Sequence, residues 1–260
     1  MDELAVTRSV EPGQYLGKSA LQRHLADLAP GPDAASSSIY LRPDEIESFL
    51  GGACRDDLGW ASHLTRAGDA VLESANGIIG LRTGNQARII LPPFPLLERL
   101  VLPRWETAPL LRLLATEYTI GVVLLRLGRF SVAVYRGEKL VSSKTDARYV
   151  KGRHKKGGSS QKRFARIREG QIRLIYDMTC EAVRTQFEPF AGQIDYVVLG
   201  GEGLTLNGFL QVCLHMEQFQ GRLLGRRLNI RDPKHSTLEN VGHLLTQSRV
   251  YPVAWQLSPD

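Results

Sequence analysis

One stretch, VKGRHKKGGSSQKRFARIRE at residues 150–169, gathers the residue types that could do chemistry. Its Lys151, Arg153, Lys155, Lys156, Lys162, Arg163, Arg166 and Arg168 are suited to phosphates. Such contacts set affinity and salt dependence rather than sequence choice. Among them lie Gly157, Gly158, Ser159, Ser160 and Gln161. The two glycines permit backbone conformations closed to other residues and a close approach to a partner. Either serine can cap a helix start by accepting a backbone N–H. Gln161 is a neutral amide, both donor and acceptor, where a carboxylate would be repelled by phosphate. His154 sits in a run of cations that expels its proton, so RNA contact is expected of it rather than general-base work. The expectation is a loop that enters RNA with Gln161 at its tip. On composition alone the same loop reads equally as a basic segment that binds any nucleic acid.

Other chemistries find less support. Cys54, Cys180 and Cys213 form no C-x-x-C pair and no zinc spacing, and are expected to be reduced thiols. His24, His63, His215, His235 and His243 have no ligand spacing. The turn GGEG at residues 200–203 is expected to be a structural strand-to-helix turn rather than a phosphate site. A two-metal nuclease needs carboxylates converging from strand ends. TIGVVLL and RFSVAVY carry neither Asp nor Glu, so no metal and no cofactor is expected.

The elements that must position the loop can be read on either side of it. Upstream, residues 119–125, 129–136 and 139–144 read as strands, and their short joints RLG and GE predict an antiparallel meander. Downstream, a helix is expected from about residue 160 to 187. Its apolar face is Phe164, Ile167, Ile175, Met178 and Ala182, and its basic face is Arg163, Arg166 and Arg173. The apolar face is expected to pack on the sheet. A buried strand at 194–200, a helix at 206–222, a last helix to about 247 and a closing strand at 249–255 complete an α/β layered domain, placed at residues 106–260. Residues 1–105 read as a small α+β domain with no evident chemistry. It is assembled from a helix at 17–29, a strand at 38–42 and a hairpin whose turn is RTGN.

The net charge of +6 is local. Residues 148–168 hold nine Lys/Arg and no Asp/Glu, and the rest of the chain has 24 basic against 27 acidic residues. A mildly acidic protein with one cationic element suggests a polyanionic partner that docks there. The start MDELAVTRSVEPG lacks a signal-peptide pattern, and the longest apolar runs, such as IGVVLL, are too short to span a bilayer. A soluble cytoplasmic protein is expected, with a monomer as the default and no membrane partner.

The basic Gly-Gly loop followed by RFARIRE, the meander before it and the later DYVVLGGEG resemble the catalytic domain of eukaryotic/archaeal-type peptide chain release factors, over roughly residues 107–247. In that family a Gly-Gly-Gln loop precedes an RFAR-R helix. Counting back from Phe164, Ser159 holds the position of the family's loop glutamine and Gln161 lies two residues later. Gly158-Ser159-Ser160-Gln161 is similar to the Gly-x-x-Gln form of the Vms-like branch of release factors. The resemblance implies a layered, RNase H-like catalytic domain. It also implies that the large ribosomal subunit, through its ribosomal RNA, and peptidyl-tRNA are the partners. The implied activity is codon-independent hydrolysis of peptidyl-tRNA on stalled subunits, with Gly157, Gly158, Ser159, Ser160 and Gln161 at the catalytic tip. No stretch resembles the family's codon-reading or GTPase-binding domains, which suits rescue rather than termination. Two alternatives stay open: cleavage of the tRNA 3′ end, and a non-catalytic factor that binds ribosomal RNA.

Overall fold

A computed structural model describes residues 13–52, 56–152 and 159–255, with the backbone alone at residues 159–162. The chain forms two units, residues 1–115 with 246–260, and residues 116–245.

The first unit opens with β1 (Gln14–Leu16), α1 (Lys18–Asp27) and β2 (Ser36–Leu41). Three short helices follow, α2 (Ile46–Leu50), α3 (Trp60–Arg66) and α4 (Asp69–Leu72). Then come β3 (Ile78–Thr83), β4 (Gln86–Leu91), β5 (Leu100–Leu102) and α5 (Ala108–Ala115). Strands β2, β3 and β4 bury apolar residues on both faces because both faces of their sheet are covered. Ile39, Leu41, Ile78 and Ile89 pack toward α2, α3 and α4. Tyr40, Ile79, Leu81 and Ile90 pack toward α1 and α5. The period of two thus feeds two cores from one sheet.

The second unit is built on β6 (Thr119–Arg126), β7 (Arg129–Arg136) and β8 (Lys139–Ala147). This is the expected meander, and its two-residue joints turn through Gly128 and Gly137, both at positive φ. The helix α6 (Ser159–Phe187) follows, then β9 (Tyr196–Gly201), α7 (Gly203–Val212), β10 (Leu223–Leu228) and α8 (His235–Leu245). The sheet order is β10-β9-β6-β7-β8, with β9 parallel to both neighbours. Phe130, Val132 and Val134 of β7 face α6 and α7. On the other face the Tyr135 hydroxyl donates to the Leu238 carbonyl of α8 at 2.6 Å. The unit is therefore an α/β layered fold. Gly121 of β6 is needed for α6 to lie this close: a Cβ there would meet the Phe187 ring at 2.6 Å.

Several expectations are corrected. The segment 206–222 is not one helix, because α7 ends at Val212 and residues Leu214–Arg222 are 3-10. Strand β10, LLGRRL, escaped notice because its two arginines and glycine break the buried-strand pattern. The last strand, β11 (Ser248–Ala254), pairs with β1 and β4, so it belongs to the first sheet rather than closing the second. α5 likewise packs in the first unit, through Leu110 and Leu114. Cys180 and Cys213 are joined in a disulfide, their Cα atoms 5.3 Å apart. They are 33 residues apart in sequence and meet only because α6 packs beside the end of α7, which spacing cannot reveal.

Phe164 and Ile167 are also misplaced by the periodicity. Each is 37% exposed, whereas Ile175 and Ala182 are buried and Met178 is half-buried against the core. At 29 residues, α6 is about 43 Å long, longer than the strands of 8 or 9 residues it covers. Its fully buried positions begin at Ile175, Ile172 before it is the first side chain packed against the core, and residues 163–170 are exposed apart from the half-buried Arg168.

Candidate nucleic-acid interface

Sequence divides α6 into two halves of opposite character. Residues 159–173 carry Lys162, Arg163, Arg166, Arg168 and Arg173 against Glu169 alone. Residues 174–187 carry Asp177 and Glu181 against Arg184. The packed half is the one with the carboxylates, and the more exposed half is cationic.

That polarity opposes helix electrostatics. The positive end of a helix dipole favours acidic residues in the first turn and disfavours cations. The first turn of α6 has no acidic residue. Lysine and arginine there cost the isolated helix stability, and they add to the pull of the dipole on an anion. The backbone places Ser159, Ser160 and Gln161 as the first three helical residues. N–H groups in the first four positions of a helix have no acceptor within it.

The cations differ in how they are held. Arg163 and Arg166 are exposed. Arg168 is half-buried, and its Nε donates to the Lys151 carbonyl at 3.0 Å. The Lys151 backbone N–H donates to Gln171 Oε1 at 3.0 Å, and its Nζ lies 5.3 Å from the centre of the Phe164 ring. Arg173 pairs with Asp177 at 3.0 Å, one exposed helical turn away. Gln171 carries no charge and sits in no recognisable motif, so sequence reasoning passed over it. Its one signal is a polar residue on the flank of the apolar stripe. Of the other expected site residues, Arg153, His154, Lys155, Lys156, Gly157 and Gly158 lie outside the described residues, as do the side chains of Ser159, Ser160, Gln161 and Lys162.

Below this half, Tyr176 is buried, and burial pushes its phenol up. The Glu202 carboxylate at the end of β9 pushes it in the same direction, and the Arg168 guanidinium opposes both. Helix α7 lies against this point of α6: a Cβ on Gly208 would meet the Tyr176 hydroxyl at 2.7 Å. The glycines at the β9–α7 joint serve the turn: a Cβ on Gly201 would meet the Leu125 carbonyl oxygen.

Elsewhere in the unit, a cleft of about 550 Å³ opens between β7, β8 and α6. Phe130 and Met178 line it with Lys144, Asp146, Asp177 and Glu181. Three carboxylates against one lysine make it a poor seat for a phosphate backbone. Among the described residues no group of three or more His, Cys, Asp or Glu could hold a metal ion, and no helix is long and apolar enough to cross a membrane.

Residues 118–251 match the family described as Actinobacteria/chloroflexi VLRF1 release factor. Peptide chain release factor subunit 1 of Archaeoglobus fulgidus is 25% identical over 215 residues, covering 72% of this chain and 53% of the relative. The same factor of Methanosphaera stadtmanae is 31% identical over 102 residues, covering 39% of this chain and 25% of the relative. The chain thus spans about half the length of the first of these relatives and less of the second. A solved structure of the Vms1 mitochondrial localization core aligns with 85% of this chain and 98% of that one, at 11% identity and a TM-score of 0.40.

Proposed function

We propose a function on one premise: the chain belongs to the VLRF1 release factor family, a Vms-like group. The protein hydrolyses the ester of peptidyl-tRNA on stalled large ribosomal subunits, in the cytoplasm and without reading a codon. The observation that carries this reading is the family match across residues 118–251, which contains the basic loop and the whole of α6.

The chemistry asks little of the protein beyond geometry. Ester hydrolysis needs a water aligned on the carbonyl carbon and a donor for the oxyanion that develops on the carbonyl oxygen. Water adds, the ester C–O bond breaks, and the proton passes to the ribose oxygen that leaves. Gln161 supplies a neutral amide, and the N–H groups of the first turn of α6, which have no acceptor within the helix, supply further donors. A lysine at the tip could itself attack the ester, and a carboxylate would be repelled by the surrounding phosphates. Arg163, Arg166 and the cations of the loop hold the tip in its RNA-lined site.

The test is single-turnover peptide release from isolated large subunits carrying peptidyl-tRNA. Gln161→Ala is expected to slow release by about a hundredfold, the scale of losing one oxyanion donor. The discharged tRNA is expected to keep an intact 3′ end. Release by the alanine variant at the wild-type rate overturns the role of Gln161, and a shortened tRNA replaces hydrolysis with cleavage of the tRNA.

A further inference from the structure

Strand β8 is an outer strand of its sheet, with β7 on one side and no strand of the described residues on the other. An edge of this kind offers a row of backbone N–H and C=O groups to a further chain. Sheets discourage such pairing with short edge strands and breaks in register. The other edges here follow that rule: β1 and β5 have three residues each, and β10 has six with a shift in its register. β8 has nine residues, and Ser142–Ala147 run in unbroken register with β7. The run closes at its end, where the Ala147 N–H donates to Asp146 Oδ1 at 2.7 Å.

The acidic cleft adjoins this edge. Phe130 and Val132 of β7 face α6, and Asp146 and Lys144 of β8 lie opposite them in register, so all four side chains point to one side. Ser142, two residues before Lys144, donates to Gln186 of α6 at 2.5 Å. Residues 130–135 of β7 are buried, whereas β8 is half-buried or exposed throughout. The cleft of about 550 Å³ is the space that α6 leaves over this margin of the sheet. Phe130 and Met178 give it an apolar floor, and Asp146, Asp177 and Glu181 outnumber Lys144 in its lining. An arginine or lysine suits both parts, with its aliphatic stem on the floor and its cation among the carboxylates. Asp177 and Glu181 already pair with Arg173 and Arg184, at 3.0 and 2.6 Å, but all four side chains are more than half exposed. Exposed pairs of this kind contribute at most about 1 kcal/mol, so their carboxylates change partners at little cost. Every second side chain of an extended strand points to the same side, so a chain laid along β8 delivers alternate residues to the cleft. We infer that β8 and the cleft dock an extended basic peptide of a partner protein as an added strand, with alternate arginines or lysines in the cleft. The site lies on the packed half of α6, apart from its cationic half, and the inference stands without the release reading.

The probe is a fluorescein-labelled peptide, Arg-Val-Arg-Val-Arg-Val, blocked at both ends and titrated with the full chain by fluorescence anisotropy. A Kd of about 10–100 μM is expected, the range of a weak docking contact. The Glu-Val counterpart is expected to bind at least about tenfold more weakly, and the double variant Asp177→Asn/Glu181→Gln to lose about tenfold for the basic peptide with its thermal melt unchanged. Two further peptides carry N-methyl groups on the arginine amides alone or on the valine amides alone. The N–H groups of a strand alternate between its two edges, so only one of these sets faces β8. One methylated peptide is therefore expected to lose at least about tenfold and the other to stay within about threefold of the parent. Equal effects of the two methylations overturn strand addition and leave a cation held by charge. Equal binding of the acidic peptide, or an unaffected double variant, removes the cleft as the seat. A chain that dimerises in sedimentation and binds no peptide gives the edge to a second copy and likewise overturns the proposal.

Discussion

Positions 159 and 161 of α6 are two residues apart, which on a helix is about 200° of rotation and about 3 Å of rise. Moving the amide from the first to the second is thus a change of side as well as of register. If Gln161 is the working amide, exchanging the two residues cannot be neutral. The double variant Ser159→Gln/Gln161→Ser is expected to release peptide as slowly as Gln161→Ala, and Ser159→Ala alone to stay within about threefold of wild type. Single-turnover release from large subunits measures both, and a swap that restores wild-type release moves the working position to 159. The residue types of this site are legible in the sequence, since cations, glycines and a lone amide state their chemistry by composition. The contact at Lys151 is not. Gln171 and Lys151 are ordinary residues 20 apart, and their bond exists only because the chain leaving β8 runs back beside the helix that follows.

At the scale of elements, α6 combines a packed half with a more exposed one, and its stability is divided accordingly. Gly170 lies in the more exposed half, and a Cβ there meets nothing within 4 Å. Gly170→Ala is therefore expected to raise stability by about 0.5–1 kcal/mol, read as a higher Tm, with release retained. A loss of stability would mean that position 170 packs against something. The packed half is held by Ile175, Val183 and Phe187, with the Cys180–Cys213 disulfide tying it to the end of α7. Phe187→Ala is expected to cost about 3–5 kcal/mol in denaturant unfolding, because the ring fills the space over Gly121 and meets Phe219 edge-on. Periodicity predicted the helix correctly, and of its stripe Ile175, Met178 and Ala182 pack on the core. It could not tell how much of the stripe finds a sheet to cover, because that depends on the length of strands 20 to 60 residues away. Phe164 and Ile167 continue the apolar pattern past the edge of the surface they were expected to meet.

At the scale of the molecule, the second unit is inserted into the first. The chain leaves the first unit after α5, builds residues 116–245, and returns to lay β11 between β1 and β4. Local patterns could identify 249–255 as a strand, but nothing local to it names the partner strand some 160 residues earlier. The consequence is that residues 248–255 are built into the first unit. Val250 lies in one core of the first sheet, and Tyr251 and Trp255 lie in the other. Trp255 also stacks on His63, 3.6 Å between ring centres, and meets Trp60 edge-on. Removing residues 246–260 strips β1 of its partner, exposes β4 as an edge and opens both cores, so the first unit should lose its cooperative fold. The second unit keeps every strand of its own sheet. Trp60, Trp105 and Trp255 all belong to the first unit, so tryptophan emission reports on that unit alone. The truncated chain is expected to show the red-shifted emission of exposed Trp60 and Trp105 while a cooperative melt of the second unit persists in far-ultraviolet circular dichroism. Loss of both signals would mean that the second unit cannot fold without the first. Blue emission with an unchanged melt would mean that β11 contributes little to its sheet.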